Sequence, residues 1–312
     1  MTRIILYASD TLDRGTQHRS DDNAIARRLS DPDALVLPVW RGQHLRPGEV
    51  GDVTIAADAL PGEFRRWLLE NADYAVYLGQ FGDRPVIATG LSALAEEALI
   101  SVCPATWTPV SLRTISPLVD HHEAALLAYA QALVWWRDHN RFCGVCGHRT
   151  VVINGGHAIR CADPDCNHTI FPRTDPAVIV LVHDGDRALL GRPAHWPAGL
   201  HSVIAGFVEP GETIEGAVRR EVAEETGIIV DEVSYRDSQP WPFPQSLMLG
   251  FRARATTREI SLNDQELEHA AWYDRQTLMA VDRNADPATA PFALPRGDSI
   301  ARRLIEEWLQ EV

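Results

Sequence analysis

The stretch Gly206-Phe-Val-Glu-Pro-Gly-Glu212-Thr-Ile-Glu-Gly-Ala-Val-Arg-Arg220-Glu-Val-Ala-Glu-Glu225-Thr-Gly-Ile228 decides the fold. Its second half reads as a helix from Thr213 to Thr226, closed by Gly227, because glycine takes the left-handed conformation of a helix end at little cost. On that helix Glu221, Glu224 and Glu225 stand at i, i+3 and i+4, so their carboxylates share one side. Like charges so placed repel. Arg220 offsets part of the repulsion, and a divalent cation offsets more; oxygen-only ligands select hard ions such as Mg²⁺ or Mn²⁺. Three glutamates alone also describe a solvated acidic face.

The full spacing separates the two readings. Gly206, five residues, Glu212, seven residues and then Arg220-Glu-Val-Ala-Glu-Glu-Thr-Gly-Ile match the Nudix box at each defining position. The chain resembles the Nudix hydrolases. That resemblance implies an α/β/α sandwich with a mixed sheet, in which the box forms a loop, a helix and a second loop. It also implies cleavage of a nucleoside diphosphate linked to another group. Glu224 and Glu225 would bind metal, Glu221 would bind metal or act as base, and Arg220 would orient a carboxylate; which glutamate is the base stays open. The chemistry agrees: a pyrophosphate repels anionic nucleophiles until metal ions neutralise its oxygens and acidify a water, whose proton a carboxylate accepts. Downstream, Asp264-Gln-Glu266-Leu-Glu268 offers one more ligand where several Nudix enzymes supply one, and Glu266 is preferred to Glu268.

Beyond the box lies Ser238-Gln239-Pro240-Trp241-Pro242-Phe243-Pro244-Gln245-Ser246. Three prolines alternating with aromatics predict a stiff extended loop. The string resembles the marker of NADH pyrophosphatases. That implies hydrolysis of NADH or NAD⁺ to AMP and the nicotinamide mononucleotide, and removal of an NAD cap from RNA, since the same bond is cut. From the resemblance, Gln239, Trp241 and Ser246 are substrate-binding candidates. Phe207 and Phe171, the latter where the family commonly has tyrosine, are stacking surfaces. Ala301 and the Arg302-Arg303 pair line the pocket or its edge, and a homodimer with a shared site is expected.

Upstream, Cys143-Gly-Val-Cys146 and Cys161-Ala-Asp-Pro-Asp-Cys166 supply four thiolates in two knuckles, a set that favours tetrahedral Zn²⁺ with a structural role. The second knuckle holds four intervening residues where the family usually has two. His148, His157 and His168 are spare ligands nearby, but beside four cysteines they read as surface histidines. Cys103 stands apart as a small buried apolar residue.

Three parts follow: an N-terminal α/β domain over 1–137, a zinc ribbon over 141–171 and a Nudix domain over 172–312. The N-terminal part mixes strand-like runs with the turn signals Arg46-Pro-Gly and Leu60-Pro-Gly. It ends in a helix begun by a capping-box-like pair, Asp120 and Glu123. The third part opens with Ala177-Val-Ile-Val-Leu-Val-His, hairpin-linked to Ala188-Leu-Leu. It closes on a helix with Ile300, Leu304, Ile305 and Trp308 as core and Asp298 or Ser299 as N-cap. No internal repeat is evident in the sequence.

Composition sets the outer bounds. In 312 residues, 45% apolar and 23% charged, there is room for two cores. A formal charge of −14 argues against a broad electrostatic footprint on nucleic acid, so an anionic substrate needs metal ions. The absence of an apolar run near 20 residues and of a signal peptide predicts a cytoplasmic protein without membrane partners. Two other readings are a Nudix hydrolase for another dinucleotide, such as a nucleoside diphosphate sugar or coenzyme A derivative, and a zinc-ribbon nucleic-acid binder with a silent Nudix domain.

Overall fold

The structure is a computed structural model that describes residues 5–47, 60, 62–103, 107–262 and 266–311. Gly48 and Pro61, on which two of the expected turns depend, fall outside them, as do Asp264 and Gln265. The chain divides into two compact units, one comprising 6–173 with 242–245, the other comprising 1–5, 174–241 and 246–312. Among the described residues no helix is long and apolar enough to cross a membrane.

The first unit is built on a five-stranded sheet: β1 (Leu35–Trp40), β2 (Gln43–Pro47), β3 (Tyr74–Phe81), β4 (Arg84–Gly90) and β5 (Trp107–Ser111), in the order β3-β4-β1-β2-β5. Only β1 and β4 run parallel. Helices α1 (Asp22–Leu29), α2 (Gly62–Asn71), α3 (Glu96–Val102), α4 (Leu112–Ile115) and α5 (His121–His139) complete it. Asp120 caps α5 by accepting from the backbone N–H groups of His122 and Glu123. The reciprocal half of the expected capping box does not form. Glu123 is fully buried and its carboxylate takes Arg46 Nη1, because a buried carboxylate needs a charge partner more than a helix start needs a second cap. The same unit carries the ribbon, strands β6 (Thr150–Ile153), β7 (Ala158–Cys161) and β8 (Thr169–Ile170) in a small antiparallel sheet.

The second unit holds β9 (Asp175–His183), β10 (Arg187–Arg192), β11 (Ile204–Phe207), α6 (Ile214–Thr226), β12 (Val230–Trp241), β13 (Ser246–Ala255), β14 (His269–Asp274), α7 (Arg275–Met279) and α8 (Ile300–Gln310). Its sheet is mixed, in the order β12-β13-β9-β10-β14 with β11 also paired to β9. Strand β9 sorts its side chains by parity, as a pleated strand must. Val178, Val180 and Val182 pack with Ala217, Val218 and Val222 of α6. Ile179 and Leu181 pack with Ile300, Leu304, Ile305 and Trp308 of α8. One strand buried on both faces between two helices is an α/β/α sandwich, and each fully buried valine or leucine contributes roughly 1.5–3 kcal/mol.

The two sheets share a topology that the sequence does not advertise. In each, an antiparallel hairpin (β3-β4 or β12-β13) pairs in parallel with the first strand (β1 or β9), which is followed by two antiparallel neighbours. The first unit therefore repeats the second. The repeat escapes a reading of the sequence because α2, Gly-Glu-Phe-Arg-Arg-Trp-Leu-Leu-Glu-Asn, retains the helix and its apolar stripe but not the glutamate triplet.

Candidate active site and zinc ribbon

Helix α6 is placed by its ends. Thr213 Oγ1 accepts from Gly216 N, and Gly227 at φ 71° closes the last turn onto Ala223 O. This fixes the glutamates: Glu221 and Glu225 are buried, whereas Glu224 lies at the exposed edge. Glu221 sits behind the end of β11, where Gly206 leaves space for it; a Cβ at Gly206 would stand 2.0 Å from Glu221 Cδ.

Arg220 organises the acids. Its Nε and Nη2 donate to the two oxygens of Glu212 at 2.6 and 2.8 Å, and Nη2 also reaches Phe207 O at 2.9 Å. Nη1 lies 2.9 Å from both Glu221 Oε1 and Glu224 Oε2. Glu212 in turn accepts from Glu209 N at 2.9 Å, stiffening the loop before α6. Arg220 and the Glu209 N–H hold the Glu212 carboxyl down at about 2. Burial pushes the Glu221 carboxyl up, and the negative charges of Glu224 and Glu266 push the same way against Arg220. Arg220 thus gathers Glu212, Glu221 and Glu224 around one guanidinium. Among the described residues, the groups of metal-binding atoms that all lie within 4.8 Å of one another belong to the ribbon. A helix face with two buried carboxylates and an acid-rich edge nevertheless fits a hard divalent cation, which takes carboxylate oxygens as ligands.

The marker segment departs from expectation. Instead of a loop, Ser238–Trp241 end strand β12 and Ser246 begins β13, with Trp241 paired to Ser246 and only Pro242–Gln245 between them. Pro240 is tolerated because β12 is an edge strand, where a missing N–H breaks no second ladder. Register then brings box and marker together. Phe207 pairs with Ala177, Ala177 with Met248, and Met248 with Gln239, forming one row across four strands. At strand spacing the row spans roughly 14 Å.

The remaining candidates divide by exposure. Phe207 is 59% and Phe171 61% exposed, in different units, so each offers an open ring. Trp241 and Ser246 are half-buried, and Glu266 is exposed. Gln239 and Ala301 do not present side chains to solvent: Gln239 is fully buried with its amide on the backbone of Asp298 and Ile300, and Ala301 faces the core from the first turn of α8. Arg302 is likewise buried, on Glu306 and Pro295 O, and Arg303 pairs with Asp237 and Glu307, so neither arginine is a solvated edge residue. The sequence reading missed Glu212 as the main partner of Arg220. The seven-residue gap between them was the available signal.

In the ribbon all four cysteine sulfurs lie within 4.8 Å of one another, with Cys143–Cys166 at 3.9 Å and Cys146–Cys161 at 3.3 Å. A tetrahedral zinc–thiolate site with bonds of about 2.3 Å has sulfur–sulfur edges of roughly 3.8 Å. The set fits zinc, with no position left for water. The long second knuckle is held by Asp163, which accepts from Asp165 N through Oδ1 and from Asn167 N through its backbone carbonyl. His148 is exposed against Asp163. His157 is not a surface histidine: its Nε2 donates to Tyr77 O at 2.7 Å, and burial lowers its pKa to about 4.

Residues 173–293 match the NUDIX domain family, 138–171 the NADH pyrophosphatase zinc ribbon domain, and 33–136 the NADH pyrophosphatase-like rudimentary NUDIX domain. The chain carries a Nudix domain. The rudimentary Nudix match over the first unit agrees with its repeated strand order. Among curated Nudix relatives, the NAD-capped RNA hydrolase NudC of Mycobacterium bovis is 44% identical over 204 residues, covering 64% of this chain and 64% of that protein. The NAD-capped RNA hydrolase NUDT12 of Homo sapiens is 40% identical over 196 residues, covering 60% of this chain and 42% of that protein. The chain thus spans less than two thirds of these relatives' lengths. A NUDIX hydrolase from Nitrosomonas europaea of known structure aligns over 44% of this chain and 79% of its own at TM-score 0.36 and 24% identity.

Proposed function

We propose that this Nudix protein hydrolyses the pyrophosphate bond of NADH and NAD, releasing AMP and the nicotinamide mononucleotide, and that it removes NAD caps from RNA by the same cleavage. The observation that carries the reading is the row from Phe207 to Gln239, which sets the marker hairpin at the sheet end where Glu221 sits behind Gly206. The two relatives, both NAD-capped RNA hydrolases, point the same way.

In this reading Glu221, Glu224, Glu225 and Glu266 hold Mg²⁺ or Mn²⁺, which when bound neutralises pyrophosphate oxygens and acidifies a water. Arg220 keeps Glu212, Glu221 and Glu224 in fixed directions, and one carboxylate of the helix takes the proton from the attacking water. Phe207 offers its open ring to a base or to nicotinamide, and Trp241 and Ser246 line the opposite end of the row. Phe171 serves the same purpose in a homodimer whose site is shared, and Zn²⁺ on the four cysteines is structural. The functional division runs 1–137, 141–171 and 172–312, and the protein works in the cytoplasm.

Product analysis tests this directly. With NADH and Mg²⁺ or Mn²⁺, AMP and reduced nicotinamide mononucleotide are expected. Cleavage of a nucleoside diphosphate sugar or coenzyme A derivative with NADH untouched overturns the substrate, and tight RNA binding without any hydrolysis overturns the enzyme. Rates on free NADH and NAD-capped RNA at matched concentration rank the two substrates.

A further inference from the structure

Gln239 belongs to the marker hairpin, yet its side chain is fully buried. Its carboxamide is directed at the start of α8. Nε2 donates to Asp298 O at 2.9 Å, and Oε1 accepts from Ile300 N at 2.8 Å. These two groups flank Ser299, the N-cap, whose own Oγ accepts from Arg302 N. The first N–H of a helix has no partner within the helix; here Gln239 supplies one from a neighbouring strand.

Two further contacts dock the same turn. Asp237, two residues earlier and so on the same strand face, takes Arg303 Nη2 at 2.8 Å. Gly250 lies opposite Asp237 in the hairpin, and a Cβ there would stand 2.7 Å from Ile300 Cδ1, so the missing side chain is the slot Ile300 fills. Alternation along β12 puts Trp241 on the face of Asp237 and Gln239, and the pairing puts Ser246 beside Trp241.

We infer that Gln239 is a positioning residue: it ties the first turn of α8 to the marker strand, so that Trp241, Ser246 and that turn present one rigid wall to the dinucleotide, and it makes no contact with substrate itself. The inference rests on the proposed function for its substrate, though not for its geometry. Deleting the tie loosens the wall, which weakens binding and leaves the glutamate helix, on the opposite sheet face, in place.

Gln239→Met keeps the volume and removes both hydrogen bonds. The expected result is a KM for NADH raised about tenfold with kcat within threefold, and amide exchange at Ile300 in the ligand-free protein accelerated at least tenfold. Gln239→Glu supplies a second reading: as pH falls and its carboxyl protonates, it regains a donor for Asp298 O and an acceptor for Ile300 N, so slow exchange at Ile300 should return. Wild-type KM and kcat in Gln239→Met overturn the inference, as does a raised KM with Ile300 exchange unchanged, which would make Gln239 a substrate contact. The exchange measurement needs no substrate, so it stands even where NADH proves not to be cleaved.

Discussion

Gly206 and Glu221 occupy complementary space: the glycine at the end of β11 lacks the one atom that would fall 2.0 Å from the Glu221 carboxyl carbon. The carboxylate is a terminal group and can swing away, but only by leaving the position it holds beside Arg220. Gly206→Ala should therefore fold with a modest loss, about 1–3 kcal/mol, while activity drops about a hundredfold, as expected of roughly 1 Å misplacements in a site. Denaturant melts beside kcat on NADH check this. Near-normal activity would show that Glu221 tolerates displacement.

Arg220 is an organiser that lysine cannot replace. The guanidinium meets both oxygens of Glu212 while also reaching Glu221 and Glu224, a fork geometry beyond an ammonium. Arg220→Lys should lower kcat by roughly 10- to 100-fold, with the larger part of the loss in kcat rather than KM. Steady-state kinetics at saturating metal measure it.

The ribbon predicts one zinc per chain. Metal analysis of the purified protein reads the stoichiometry, and Cys161→Ser or a strong chelator should lower the melting temperature of the unit comprising 6–173, because binding energy at a site absent from the unfolded chain is folding energy. A metal-free protein with unchanged melting would refute the structural role.

His157 makes that unit acid-sensitive. Burial lowers its pKa from 6.5 to about 4, so between these values the unfolded chain binds a proton that the folded chain refuses. Its contribution to stability is present above pH 6.5 and is lost as pH falls toward 4, at most about 3 kcal/mol. His157→Gln should flatten the fall in stability over that window relative to wild type. Identical slopes in thermal melts at pH 7 and pH 5 would refute the buried, neutral assignment.

Much of this was legible in the amino-acid sequence, for reasons that differ by element. Helix α6 could be placed within a residue because both its ends carry local signals, Thr213 and Gly227, and α8 because Ser299 does. The hairpin of β9 and β10 followed from the β-branched run of β9, the Asp184-Gly-Asp turn and the apolar Ala188-Leu-Leu. What the sequence concealed is non-local. Strand order in the first unit depends on pairings between distant segments, so the repeat was invisible without the glutamates. Pro240 reads as a breaker until β12 is known to be an edge. The amide of Gln239 finds its partners about 60 residues away, at Asp298 and Ile300, and no local pattern announces that.

The central claim is that the glutamate helix cleaves the pyrophosphate of a nicotinamide dinucleotide. Its most direct test is a single-turnover measurement on NADH with Mg²⁺ or Mn²⁺, comparing wild type with Glu225→Gln, a substitution that keeps size and hydrogen-bonding shape. AMP and reduced nicotinamide mononucleotide from wild type, with a loss of at least a thousandfold in a variant of unchanged melting temperature, is the predicted result. Equal rates in the two proteins, or intact NADH with wild type, would contradict it.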